Sequence, residues 1–152
     1  FDIIFGKGIC KIGNILDVAV NFDIVKKAGS WFSFNDEKLG QGRDKAKEFA
    51  KTVICLCREM KANHKESVLI NQLLRSATSI GANLHEAQYA QGTKDFISKL
   101  EIAQKECYET EYWLELLYET NCMTEENYHV LQNDCGAIRR MLIASLKTIK
   151  SK

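Results

Sequence analysis

Hydrophobic positions change rhythm near residue 43. From there to the end, apolar side chains recur at alternating steps of three and four, the spacing of a helix that buries one face. Four such stripes follow one another. Ala46, Phe49, Val53, Leu56 and Met60 predict a helix over 43–62, and Leu69, Leu73, Ala77, Ile80, Leu84 and Ala87 predict one over 66–90. Phe96, Leu100, Ala103, Cys107, Leu114 and Leu117 mark a third over 93–120, and Tyr128, Leu131, Cys135, Ile138, Leu142 and Ile149 a fourth over 124–150. ANHKE, QGT and NCMTE separate them, and loops this short make neighbouring helices antiparallel. Thr93 and Thr124 each stand before acidic residues, the pattern of an N-cap with carboxylates in the first turn. The chain has no proline to interrupt a helix. The expected fold is mainly α, an up-down antiparallel four-helix bundle.

Residues 1–42 follow another pattern and hold six of the nine glycines. FDIIF reads as a short buried strand that GKG ends. Ile12, Ile15, Leu16, Ala19 and Phe22 form a helix-period stripe, KKAGS turns the chain, and WFSFNDEKLG reads as an aromatic hairpin. The predicted organisation is a small α/β appendage over 1–42 and the bundle over 43–152.

With 45% hydrophobic and 27% charged residues in 152, the composition is that of a folded globular chain. A net charge of +1 gives no global electrostatic reason to bind nucleic acid or membrane. No apolar run reaches the roughly 18 residues of a membrane span and no signal peptide is visible, so a cytoplasmic protein is expected. The chain opens FDIIF without Met, as a segment cut from a longer protein would. Six cysteines invite a metal or disulfide reading, but no CxxC occurs and the three histidines lack ligand spacing to them. His85–Glu86 lacks the second His of HExxH, and GKGICKIG lacks the GxxxxGK[ST] order that cradles phosphates. No enzyme, metal, cofactor or small-molecule substrate is expected.

The stretch SATSIGANLHEAQ spends helix positions on poor helix formers, and an interior Gly costs about 1 kcal/mol against Ala. A close helix contact offsets that cost: Ser76, Ala77, Ser79, Gly81 and Ala82 let a neighbour approach, while Asn83 and Glu86 satisfy polar groups. Arg75 and Glu86 lie about three turns apart on one face and are expected to engage through intervening groups or a neighbouring subunit. Charge is also uneven. Glu101 to Glu126 holds eight acids against Lys105, and the five bases after Asp134 face no acid. Lys147, Lys150 and Lys152 suit a helix C-terminus. Arg139 and Arg140 lie mid-helix and point instead to pairing between subunits or a basic rim for RNA or DNA. Arg75, Arg139, Arg140, Lys147 and Lys150 are the candidate nucleic-acid contacts of the bundle. Ile102, Trp113 and Leu116 form a second apolar edge on the third helix, beside Tyr108 and Tyr112. They are the candidate homo-oligomer interface.

Two resemblances meet near residue 43. FDIIFGKGICKIGNILDVAV and IVKKAGSWFSFNDEKLGQGRDKAKEF, within residues 1–49, resemble RecA recombinases at the start of their C-terminal domain. That resemblance implies a part in docking duplex DNA for Lys27 and Arg43. Residues 46–150, through QLLRSATSIGANLHEAQ, KDFISKLEIAQKECYETEYWL and RRMLIASLKTIK, resemble the four-helix-bundle proteins encoded by intervening sequences of bacterial ribosomal RNA genes. That group includes relatives of the accessory variability determinant of diversity-generating retroelements, and it implies a pentameric ring with a nucleic-acid-linked role. The expected function is a non-enzymatic oligomeric bundle that binds nucleic acid or a nucleic-acid-processing partner. Two alternatives stand beside it. One is a scaffolding module without nucleic-acid contact, and the other is the C-terminal part of a RecA-type recombinase whose ATPase core lies outside this chain.

Overall fold

The computed structural model describes residues 3–4, 8–9, 26–28, 31–33, 39–63 and 66–151. Upstream are two short antiparallel pairs. β1 (Ile3–Ile4) pairs with β2 (Gly8–Ile9), and β3 (Lys26–Ala28) with β4 (Trp31–Ser33). The helix expected over 12–22 lies outside the described residues. The hairpin differs from expectation. Trp31 pairs back with Ala28, and Ser33 with Lys26, so WFS has KKA as a strand partner; residues 34–38 of the expected hairpin lie outside the described residues, and Leu39 and Gly40 open a helix. A Gly-Ser pair between two strand-like runs is itself a hairpin signal.

Four helices follow: α1 (Leu39–Ala62), α2 (Ser67–Ala87), α3 (Thr93–Glu119) and α4 (Glu125–Lys150). α2, α3 and α4 lie where periodicity puts them, with α2 ending three residues early. α1 starts four residues earlier than expected, because Gly42 is buried against α4 and helical packing continues through it. A Cβ at position 42 would overlap the Sδ and Cε of Met141. The predicted seams form the core: Ala46, Val53, Leu73, Ile80, Leu100, Leu114, Leu131 and Leu142 are all at most 1% exposed. Leu56, Leu69, Phe96 and Tyr128 sit half-buried at its edge.

Cross-helix contacts fix the up-down order. The Cys57 thiol points at the Ile70 carbonyl (3.8 Å), while a Cβ on Gly81 would stand 3.8 Å from the Ala46 carbonyl oxygen, so α1 and α2 run antiparallel. Cys135 Sγ lies 3.5 Å from the Cys107 carbonyl and Lys150 Nζ 2.6 Å from Glu101 Oε1, which shows the same for α3 and α4. Cys57, Cys107 and Cys135 are buried and free; Cys55 is exposed, Cys122 half-buried, and both are free. Burial pushes the Cys57 thiol up to about 11, so it stays protonated at neutral pH.

The helix ends divide the two expected caps. Thr124 is the N-cap of α4, its Oγ1 accepting from Asn127 N at 3.3 Å. Thr93 is the first residue of α3 instead, after an N-cap Gly92. Asp95 takes over the polar role by accepting from Gln91 N at 3.1 Å. α3 stops at Asn121, whose φ of 58° is left-handed. There Asn121 N donates to Tyr118 O (3.0 Å) and Cys122 N to Leu117 O (2.9 Å), a Schellman closure.

Candidate functional site

The small-residue stretch on α2 serves two neighbours at once. Ser76 and Ala77 are fully buried, and Ser76 Oγ lies 3.0 Å from Thr110 Oγ1 of α3. Each hydroxyl also reaches a carbonyl of its own helix, Leu73 O from Ser76 (3.2 Å) and Glu106 O from Thr110 (2.7 Å). The pair is therefore satisfied inside the α2–α3 seam, as buried polar groups must be. One turn on, Gly81 faces α1, where an added Cβ would sit 3.8 Å from the Ala46 carbonyl oxygen. Two members of the expected motif turn elsewhere. Ala82 is exposed, and Asn83 Nδ2 donates to Ser79 O of its own helix at 2.9 Å.

Arg75 and Glu86 do not engage each other. Each reaches across to α3 separately, Arg75 to Glu109 and Glu86 to Lys99. Glu109 Oε1 also accepts from Trp113 Nε1 at 3.2 Å, and the Trp113 ring rests half-buried against the core. Trp113 is thus held within its own bundle, and Leu116 is likewise half-buried. The exposed part of that edge is Ile102, Tyr108 and Tyr112, with Tyr112 standing edge-on to Trp113 at 4.9 Å.

The charge asymmetry between α3 and α4 is matched across their antiparallel seam. Arg139 Nε donates to Glu111 Oε1 at 2.9 Å, with side chains 26% and 18% exposed, and its guanidinium lies 5.0 Å from the Tyr108 ring centre. The hydrogen bond to Glu111 is the main cause holding Arg139 more firmly charged than an ordinary guanidinium. Toward the end of α4, Lys150 Nζ reaches Glu101 Oε1 at 2.6 Å. So Arg139 is not on an open rim; Arg140 and Lys147 are exposed. Of the remaining basic candidates, Arg43 is half-buried beside Asp44 (3.5 Å), and Lys27 is the middle residue of β3.

Sequence reasoning missed the acidic partners, Glu109 and Glu111 above all, because they stand 34 and 28 residues from their arginines. Glu106 is the least comfortable acid. Its Oε2 is buried without a hydrogen-bond partner, and burial first, then nearby Glu109, raise its pKa above the ordinary carboxylate value. Two clefts open between helices. One of about 590 Å³ lies between α1 and α4, over Phe49 and Ile138 with Asp44, Glu48 and Asp134 at its edge. The other, about 410 Å³, lies between α1 and α2 beside Gly81. Among the described residues no cluster of His, Cys, Asp and Glu is placed to hold a metal, and no helix is long and apolar enough to cross a membrane.

Residues 13–68 match the RecA C-terminal domain. RecA of Clostridioides difficile is 55% identical over 60 residues, which are 40% of this chain and 17% of that protein. RecA of Ruminococcus albus is 61% identical over 49 residues, 32% of this chain and 12% of the relative. The chain therefore spans less than a fifth of the length of either recombinase. A solved structure from Bacteroides thetaiotaomicron, described as a protein with unknown function from the S23 ribosomal protein family, is 48% identical with a TM-score of 0.68. It matches 70% of this chain and 98% of its own. The 23S rRNA-intervening sequence protein family matches residues 41–144, from the first turn of α1 into the last third of α4, and the chain belongs to that family.

Proposed function

We propose that the protein is a non-enzymatic, oligomeric helical bundle that binds nucleic acid or a nucleic-acid-processing partner. The observation that carries this reading is membership of a family described by a ribosomal RNA intervening sequence. The surface chemistry supports it. Arg140 and Lys147 stand exposed along α4, while the acids of α3 are partly neutralised by Arg139 and Lys150. Cations left at the surface are the groups that displace counterions from a phosphate backbone. Assembly fits the outer edge of α3, where Ile102, Tyr108 and Tyr112 expose apolar area tipped by phenol hydroxyls. Repetition of that contact from copy to copy closes a ring, a pentamer by the family resemblance.

The test pairs native mass with nucleic-acid retention on the full chain. Ile102→Ala with Tyr112→Ala should lower the native mass. Arg140→Glu with Lys147→Glu should keep the mass and weaken retention of RNA. The same double reversal should flatten the salt dependence by roughly 0.7–0.9 for each phosphate no longer neutralised. A wild-type chain that stays monomeric at high micromolar concentration ends the assembly reading. Retention of no RNA or DNA from a lysate, with a protein captured instead, would favour the scaffolding alternative.

A further inference from the structure

The cleft between α1 and α2 brings together charged, amide and aromatic side chains. α1 contributes Arg43 and Lys47, with Asp44 between them, α2 contributes His85, and Gln88 and Tyr89 follow directly after α2. At about 410 Å³ it falls within the range of small-molecule sites, roughly 300–1,000 Å³. Gly81 lies in its wall, where a Cβ would meet the Ala46 carbonyl oxygen of α1 at 3.8 Å. Tyr89 is half-exposed, and His85 steadies it edge-to-face at 5.4 Å.

These features ask for one ligand that is anionic at one end and flat and aromatic beside it. We propose that the α1–α2 cleft binds a nucleoside monophosphate unit, free or within a single strand. Lys47 and Arg43 take the phosphate, and the Tyr89 ring stacks on the base. Asp44 lies 3.5 Å from Arg43 and leaves Lys47 as the leading phosphate contact. Every base has a π-face for Tyr89 to stack on, so the cleft is tolerant of sequence. The inference deepens the nucleic-acid reading above and rests on it for the strand-bound form.

The probes are adenosine 5′-monophosphate, adenosine, inorganic phosphate and a short single-stranded oligoadenylate, each titrated against the full chain. Adenosine 5′-monophosphate should shift the backbone amides of residues 43–50 and 78–89 at lower concentration than adenosine or phosphate alone. Lys47→Glu and Tyr89→Ala, both at exposed positions, should each weaken it about tenfold without changing the melting temperature. The oligoadenylate should respond to the same two variants. Amides unmoved by the nucleotide, or two variants that bind like wild type, overturn the cleft. Oligonucleotide binding that ignores Lys47 and Tyr89 but falls in Arg140→Glu with Lys147→Glu overturns the cleft and leaves the proposed function standing. Nucleotide in the cleft with no oligonucleotide bound upholds the cleft and sinks the strand-bound form.

Discussion

Glu106 shows how one side chain carries a pH signature in a bundle whose other cross-helix carboxylates are paired with cations. Its Oε2 has no partner, and burial with Glu109 nearby favours the protonated form. The folded-state pKa is raised, so Glu106 contributes stability that is fully present below its ordinary value of 4.5 and is lost as pH rises through the higher folded value. Glu106→Gln should remove that loss, giving a flatter stability profile above pH 4.5 in urea titrations run at several pH values. A profile with an unchanged slope would place the titration elsewhere. Gly81 is the complementary case, an apparent weakness in the middle of a helix. An added methyl would meet the Ala46 carbonyl at an ordinary contact distance of 3.8 Å. Gly81→Ala should therefore recover helix propensity and stabilise the fold by up to about 1 kcal/mol. Destabilisation on that change would mean that α1 is held closer to α2 than its backbone position indicates.

At the scale of elements, the helix ends separate residues that look alike in sequence. Thr93 and Thr124 both precede acids, yet only Thr124 Oγ1 accepts a backbone N–H. Thr124→Ala should cost about 0.5–2 kcal/mol in chemical unfolding, and Thr93→Ala much less. Equal losses would contradict the cap assignment. The pair also marks how much of the fold is legible in the chain. Seams of α2, α3 and α4 are readable because burial imposes a period on each helix alone. The choice between Gly92 and Thr93 as N-cap depends on where Asp95 can reach, which no local pattern fixes. The same holds for the candidate site. Segregation of acids on α3 and bases on α4 is plain in the sequence, but Arg139 meets Glu111 only when 28 residues of chain fold back. Helical spacing alone pairs Arg75 with Glu86, and the seam supplies Glu109 instead.

At the scale of the whole molecule, α1 is the helix on which two family matches overlap. Residues 41–68 fall within both the RecA C-terminal match and the intervening-sequence match. Gly40 and Gly42 look like punctuation by propensity alone, so the sequence pattern starts this helix four residues late. Tertiary contact overrides that preference, since Gly42 gives Met141 of α4 its space. Gly42→Leu should destabilise the bundle by about 1–3 kcal/mol through overpacking, and Met141→Ala in the same chain should restore part of the loss. Additive penalties in that double variant would mean that the two positions do not share the space.

The unbroken run from Leu39 to Ala62 also sets a rule for length variation. An α-helix turns about 100° and advances about 1.5 Å with each residue. One residue inserted between Leu39 and Gly42 would swing whatever precedes the helix through more than a quarter circle while the bundle stood still. Insertions of about seven or eleven residues come close to whole turns and nearly restore the original bearing.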